Sequence, residues 1–177
     1  MLLLLAVFSA APAAFDWVRK RAEQQWGALA LESEPFPFET FTDYYEESMG
    51  KTLPKRLWVF ENLISPDALP KIKCITNDWE AEFKSFAESS AERPLNIDPG
   101  YIDLGKLILA STKDHAHRIY LSEGIFAETT LMYTQKQWKP MPWTYPDYQS
   151  AGYQKFLSQC REYLKSKREL QPIDLQR

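Results

Sequence analysis

Leu2-Leu3-Leu4-Leu5-Ala6-Val7-Phe8-Ser9 is the stretch that sets the fold, because it is an apolar run of the right length for one buried strand. It is far too short to span a membrane. After this run in the sequence, apolar side chains recur at helical spacing: Phe15, Val18, Ala22 and Trp26. Gly27 follows as a stop signal. The pattern therefore predicts that the chain opens with a β-strand that leads directly into an amphipathic helix.

The same apolar run has a second interpretation, as an export signal. Ala11-Pro12-Ala13 resembles a signal-peptidase site. Against export, no Lys or Arg precedes the apolar run, whereas an export signal begins with positive charge. The residues alone leave a buried strand and an exported leader as alternatives.

Strand and helix patterns continue along the rest of the chain. Pro35 and Pro37 restrict any strand in Ala28 to Phe38 to a sheet edge. Apolar patterning predicts further strands at Leu57 to Leu63, Lys106 to Ala110, His117 to Leu121 and Ile125 to Tyr133. Helical spacing predicts two more helices, at Leu69 to Phe86 and at about Gln149 to Lys167. Asp98-Pro99-Gly100 is predicted to be a turn.

The segment Ser122-Glu123-Gly124 predicts a hairpin with a three-residue loop, whose glycine takes the left-handed conformation. In that register Leu121 faces Ile125, and Arg118 lies opposite Glu128.

The order β-α-β-β-α-β, followed by a hairpin and a helix, predicts a single α+β domain over residues 1–170. We expect a mostly antiparallel or mixed sheet with helices on one face. The expected core is ferredoxin-like, with an extra hairpin and a C-terminal helix. Residues 171–177 are expected to form a frayed tail.

Composition argues against several classes of function. The chain of 177 residues has a net charge of −3, so we expect neither nucleic-acid nor membrane binding. The sequence contains no standard glycine-rich nucleotide loop and no Gly-x-Ser-x-Gly nucleophile elbow. Cys74 and Cys160 lack CxxC spacing, which favours two buried thiols and leaves one disulfide bridge as the alternative.

Thr112 to Arg118 places a base, a carboxylate, a hydroxyl and two cations in a loop that enters a strand. These side chains predict an anion or nucleotide site. Lys113 and Arg118 would neutralise a phosphate or carboxylate group. His117 would transfer a proton near neutral pH, and Asp114 would either orient His117 or hold a hydrated cation. The catalytic candidates are His117, Asp114 and Lys113.

Three other interpretations compete for these polar residues. Arg118 can pair with Glu128 across the hairpin, which is a routine way of stabilising two strands. An oxygen-rich metal site would use Asp98, Asp114, His117 and Glu128. No recognised spacing links those four, so no metal site is predicted. Asn96 and Asp98 also fit a turn in which each side chain bonds its own backbone.

Trp138 to Tyr148 is rich in aromatic residues and prolines. It forms either a ledge that binds a protein partner or planar ligand, or a connector that packs across the sheet. Packing is favoured, because prolines stiffen such a connector and the rings bury large areas.

Several of these segments resemble a bacterial family catalogued as domain of unknown function 4416. The resemblance is carried by Phe41 to Gly50, Ile72 to Asn77, Asn96 to Tyr101, Ala110 to Asp114, His117 to Leu121, Gly124 to Glu128 and Pro142 to Tyr148. It implies a cytoplasmic protein whose opening apolar run is the first strand. It also implies a motif set containing Lys113, Asp114, His117 and the ligand-binding candidates Arg118, Asn96, Asp98, Tyr101, Glu128, Tyr145 and Asp147.

Two hypotheses for the function follow. In the first, the protein binds or acts on a phosphorylated or carboxylated small molecule, nucleotide-like in character, through the cluster at Lys113 to Arg118. In the second, it is a non-catalytic module that binds a protein partner through the aromatic and proline-rich surface. The sequence identifies no cofactor.

Overall fold

The computed structural model describes residues 1–41, 46–49, 52–87 and 91–170, which leaves the predicted tail outside the described residues. The strands are β1 (Leu2–Phe8), β2 (Leu29–Glu32), β3 (Phe36–Pro37), β4 (Pro54–Leu63), β5 (Asn96–Ile102), β6 (Lys106–Ser111), β7 (Ile119–Ser122), β8 (Ile125–Thr134) and β9 (Gln137–Pro140). The α-helices are α1 (Pro12–Trp26), α2 (Glu46–Met49), α3 (Leu69–Phe86) and α4 (Ala151–Leu170). Short 3₁₀ helices lie at Phe38–Thr40, Pro66–Ala68 and Pro146–Gln149.

All nine described strands belong to one sheet, in the order β2-β4-β1-β5-β6-β8-β7, with β3 paired to β4 and β9 to β8. The strand pairs are antiparallel throughout. Helix α1 joins β1 to β2, and α3 joins β4 to β5, so each helix crosses over one intervening strand. The predicted α+β class and antiparallel sheet are confirmed. The ferredoxin-like assignment of the core stays a prediction.

The opening apolar run is the central strand β1, and it is buried along its whole length. Side chains alternate between the two faces of a strand. One set from β1 packs with α4: Leu2, Leu4 and Ala6. The other set packs with α1 and α3: Leu3, Leu5 and Val7. A strand covered on both faces has no polar alternation, which explains the uninterrupted run. Among the described residues, no helix has the length and apolar character of a membrane span.

The expectation that all helices cover one face of the sheet is wrong. Helices α1 and α3 pack on one face, which we call the α1/α3 side. Helix α4 packs on the opposite face, the α4 side, through Phe156, Leu157, Cys160 and Leu164. The strands carry apolar residues toward both faces, so a second helical layer is needed to bury the α4 side.

The predicted turn at Asp98-Pro99-Gly100 is also wrong, because these residues lie within β5. Ile97 and Pro99 have the same orientation in the strand, and the Ile97 amide points away from β1, toward α3. The missing N–H of Pro99 would therefore point away from β1, toward the edge of β5 that β6 pairs with only from Gly100 onward. No hydrogen bond between the described strands is lost at Pro99. A Cβ at Gly100 would come within 2.2 Å of the Ile108 carbonyl oxygen, so only glycine fits this close pairing.

The hairpin between β7 and β8 has a two-residue loop, because Ser122 pairs with Ile125. Glu123 and Gly124 both have positive φ, at 54° and 73°, as a tight hairpin loop requires. The predicted three-residue loop and its register of Leu121 opposite Ile125 are therefore wrong by one position.

Candidate functional site

A cavity of about 630 Å³ opens on the α4 side, at the end of the sheet where β1 finishes. Its floor comes from consecutive neighbours in the sheet, β4, β1, β5, β6 and β8. In this order, each strand contributes one of the following residues to the floor of the cavity: Lys55, Phe8, Asp98, Leu109 and Glu128. Five strands at about 4.8 Å spacing make this floor on the order of 19 Å across. The opposite wall includes Tyr145 to Tyr148, from the 3₁₀ turn before α4.

The β4 side of the cavity, which we call the aromatic end, contains a buried ion pair. Nζ of Lys55 lies 2.7 Å from Oδ2 of Asp147, and the two side chains are only 4% and 1% exposed. The Lys55 ammonium also lies over the rings of Phe8, Phe38, Tyr148 and Tyr153, at 4.6 to 5.8 Å from their centroids. Ring faces attract a cation, so this ammonium is held by both a carboxylate and π systems.

The two tyrosines at the aromatic end stay neutral. Burial, with a contribution from the nearby Asp147 carboxylate, raises the pKa of both Tyr148 and Tyr153 far above the ordinary value. Asp147 is therefore the counter-charge of Lys55, and no tyrosinate competes for that role near neutral pH.

The β5 part of the cavity, which we call the middle zone, is a polar network between β5 and α3. The backbone of Ile97 is not bonded to β6 here, since its N–H donates to Glu80 at 2.8 Å and its carbonyl accepts from Lys73 at 2.9 Å. Nζ of Lys73 also lies 3.5 Å from Asp98 and 4.0 Å from Glu80. Two side chains from a helix thus take the place of a neighbouring strand along this stretch of β5.

The remaining members of the middle zone complete a ring of contacts. Arg93 donates to Oδ1 of Asn96 and lies 3.5 Å from Glu80. Nδ2 of Asn96 donates to Asp98 at 2.9 Å. Burial raises the pKa of Glu80 above its ordinary value, although the Lys73 ammonium and the Ile97 amide oppose the shift. The zone is therefore rich in both donors and acceptors.

The β6 and β8 side, which we call the cationic end, is built around Arg118. Its Nε donates to Glu128 at 2.7 Å, and its Nη1 donates to Ser111 at 2.7 Å and to the Lys113 carbonyl at 3.0 Å. The predicted cross-strand pair of Arg118 with Glu128 is confirmed. Both side chains are almost fully buried, so this is a buried ion pair and not an exposed pair on the surface of the hairpin.

His117 lies behind this pair. Its Nε2 is 3.1 Å from the same Glu128 oxygen that accepts from Arg118. The imidazole stacks on Trp143, with ring centroids 4.8 Å apart and planes 12° from parallel. The ring of His115 also stacks on the His117 imidazole, with centroids 5.8 Å apart, and His115 lines the cavity. Of the two histidines, His115 is therefore the one that can contact a ligand in the cavity.

The structure brings seven of the ten predicted site residues to the cavity wall: Asn96, Asp98, Lys113, Arg118, Glu128, Tyr145 and Asp147. His117 does not line the cavity and reaches it only through Glu128. Asp114 is exposed outside it. Tyr101 faces the α1/α3 side, where it packs on the cluster around Leu69 and Ile108.

The cavity wall also contains polar residues that were not among the predicted site residues, including Lys55, Lys73, Asn77, Glu80, Arg93 and His115. Lys73, Asn77 and Glu80 follow one another at i, i+4 and i+7 on α3. That spacing places them on one face of the helix. A polar stripe beside the apolar stripe of the same helix was therefore a usable signal. Lys55 had no such signal, because its partner Asp147 is 92 residues away.

Three of the four aromatic residues in Trp138 to Tyr148 pack against the rest of the protein. Trp138 and Tyr148 are buried. The indole of Trp143 donates to the Thr129 carbonyl at 2.9 Å. Tyr145 is the exposed aromatic residue of the segment. Among the described residues, no group of three or more His, Cys, Asp or Glu side chains is arranged to hold a metal ion.

The fold and site define an α+β protein whose single antiparallel sheet carries a charged cavity at one end of its α4 side. The family model described as "Domain of unknown function (DUF4416)" matches residues 1–163, and the chain belongs to this family. The matched region contains the whole cavity wall. Comparisons with curated proteins and with solved structures gave no significant match.

Proposed function

We propose that the cavity binds a small phosphorylated or carboxylated molecule, nucleotide-like in size, with its anionic group at the cationic end. The observation that carries the proposal is the charge of the cavity wall. Among the described residues, five cationic side chains line it, Lys55, Lys73, Arg93, Lys113 and Arg118, against four carboxylates, Glu80, Asp98, Glu128 and Asp147. The chain as a whole is negative, with a net charge of −3. A positive, concave region on an acidic protein attracts anions.

The arrangement of the cationic end supports this proposal. Arg118 is fixed by three hydrogen bonds, so little conformational entropy is lost when a ligand binds beside it. Lys113 lines the same end and is exposed, which leaves its side chain accessible from solvent. The volume of about 630 Å³ also lies in the range of roughly 300–1,000 Å³ that is usual for small-molecule sites.

The proposal assigns binding to Lys113 and Arg118. Lys113 is one of the three catalytic candidates; the other two, His117 and Asp114, lie off the cavity wall. A role for His117 would act through Glu128, whose carboxylate it shares with Arg118.

The test is a binding screen on the purified chain. Thermal shift with inorganic phosphate, pyrophosphate, citrate, sugar phosphates and nucleoside monophosphates would be followed by calorimetric titration of each probe that stabilises. A probe at 100 times its Kd stabilises the folded state by about 2.7 kcal/mol. Lys113→Ala should weaken binding by roughly tenfold or more, because it removes a charge-assisted contact.

Lys106→Ala is the matched control. Lys106 is an exposed lysine on β6, the strand that also leads to Lys113, but it lies at the other end and off the cavity wall. Equal weakening by both variants would mean that binding follows overall charge. A screen in which no anion stabilises the protein would overturn the proposal.

A further inference from the structure

We infer that the middle zone of the cavity binds hydroxyl groups, so that the ligand is a phosphorylated or carboxylated sugar or polyol. This class includes the ribose phosphate part of a nucleotide. The inference rests on the proposed function, because it places the anionic group of the same ligand at the cationic end.

The charges of the middle zone are the first argument. Lys73 and Arg93 face Glu80 and Asp98 through contacts of 3.5 to 4.0 Å, so two cations balance two carboxylates. A balanced zone has no net attraction for an anion. It offers donors and acceptors side by side, which is what a neutral hydroxyl group requires, since a hydroxyl both donates and accepts.

The unused hydrogen-bonding capacity is the second argument. Asn77 lines the cavity, and its side-chain amide makes no hydrogen bond among the described residues. The side chain of Asp98 is 34% exposed and accepts one hydrogen bond, from Asn96. A carboxylate has about four lone-pair sites, so Asp98 can accept from ligand hydroxyls as well. The side-chain amide of Asn96 accepts from Arg93 and donates to Asp98. These two hydrogen bonds fix the position of the Asp98 carboxylate.

The position of the zone is the third argument. Strand β5 is the neighbour of β6 in the sheet, and β6 leads to Ser111 and the cationic end. One or two strand spacings correspond to about 5–10 Å. A phosphate on a pentose or hexose lies at a comparable distance from the hydroxyl groups of the ring. One sugar phosphate can therefore reach both zones.

Calorimetric titration with three probes tests the inference: ribose 5-phosphate, 2-deoxyribose 5-phosphate and inorganic phosphate. We expect ribose 5-phosphate to bind about tenfold more tightly than either of the other two, since a site built for a hydroxyl group discriminates against an analogue that lacks it. Asn77→Ala, which changes no charge, should weaken the binding of ribose 5-phosphate and leave the binding of inorganic phosphate unchanged. Asn77→Ala removes no hydrogen bond to a described residue, so it should fold normally.

Asp78→Ala is the control, because Asp78 is the exposed neighbour of Asn77 on α3 and does not line the cavity. Equal affinities for the three probes, with no effect of Asn77→Ala, would overturn the inference and leave the proposed function standing. If pyrophosphate or citrate binds and no sugar phosphate does, the inference is likewise overturned and the proposed function stands. Failure of every anion to bind would overturn both.

Discussion

The two ends of the α4 side differ although the same strands build them. At one end Leu4 of β1, Ile102 of β5 and Leu107 of β6 pack against α4. A few residues along the same face, β5 presents Asp98 and β6 presents Ser111 to the cavity. We call these the filled end and the open end. Each strand thus changes from core to site along its own length.

The difference shows where the stability of the molecule resides. Apolar burial stabilises by roughly 25 cal/mol per Å², whereas a buried charge is costly unless it is paired. The filled end is apolar, and the open end pairs its charges almost one for one. A site can be charged without unfolding the sheet because the filled end and the α1/α3 side supply the hydrophobic stabilisation.

The largest expected effect is at the open end, where Asp147→Ala leaves Lys55 buried without its counter-charge. We expect a loss of about 3–5 kcal/mol in the free energy of unfolding. Urea denaturation of both proteins measures it. The double variant Lys55→Met with Asp147→Leu should recover most of this loss, since apolar groups of similar volume replace the pair.

Glu162→Ala is the control for Asp147→Ala, because the carboxylate of Glu162 is 64% exposed in its ion pair with Arg161. An exposed pair contributes about 0–1 kcal/mol. If Asp147→Ala costs no more than Glu162→Ala, the open end does not depend on charge pairing.

The second effect is at the filled end. Leu157 is fully buried on α4, and Leu157→Ala should cost about 2–4 kcal/mol because a cavity remains where the side chain packed. Gln159→Ala, at an exposed position of the same helix, should change stability by less than about 0.5 kcal/mol. The affinity of folded Leu157→Ala for any probe that binds should equal that of the original chain. A lost affinity would show that the two ends are coupled.

Much of the fold could be predicted because its signals are local. The apolar run of β1, the helical spacing of α1 and the Arg118 to Glu128 pair across the hairpin all lie within a few residues or one short loop. The side of the sheet that α4 covers is not local. Apolar periodicity shows that α4 has a buried face, but both sides of the sheet offer an apolar surface, so the pattern fits either.

The candidate site could be predicted only in part, for a related reason. Asn96 and Asp98 lie beside Pro99 and Gly100, a local pattern that predicts a turn. In the structure, pairing with distant strands makes this segment part of β5. Lys55 and Lys73 are charged residues within a strand and a helix, where the usual expectation is a solvated position. Their burial depends on carboxylates supplied by distant elements, which one sequence does not reveal.

The smallest expected effect tests whether the open end carries its charges at a cost to stability. Burial raises the pKa of Glu80, so the folded state binds this proton more tightly than the unfolded state does. Protonated Glu80 therefore stabilises the fold. This stabilisation is fully present below the pKa that Glu80 has in the unfolded state, and it is lost as the pH rises through its pKa in the folded state. Glu80→Gln does not ionise and should lack this loss.

Urea denaturation at intervals from about pH 4 to pH 7 measures this difference, since an ordinary Glu titrates near pH 4.3. The two proteins should have similar stability at the acidic end, and Glu80→Gln should become the more stable one as the pH rises. Glu162→Gln, at the exposed pair, gives the background to subtract. If Glu80→Gln instead loses stability relative to the original chain toward pH 7, the ionised Glu80 stabilises the fold. The polar network would then be part of the scaffold. A gain would mean that the Glu80 carboxylate is retained at the expense of stability, as expected of a residue kept for ligand binding.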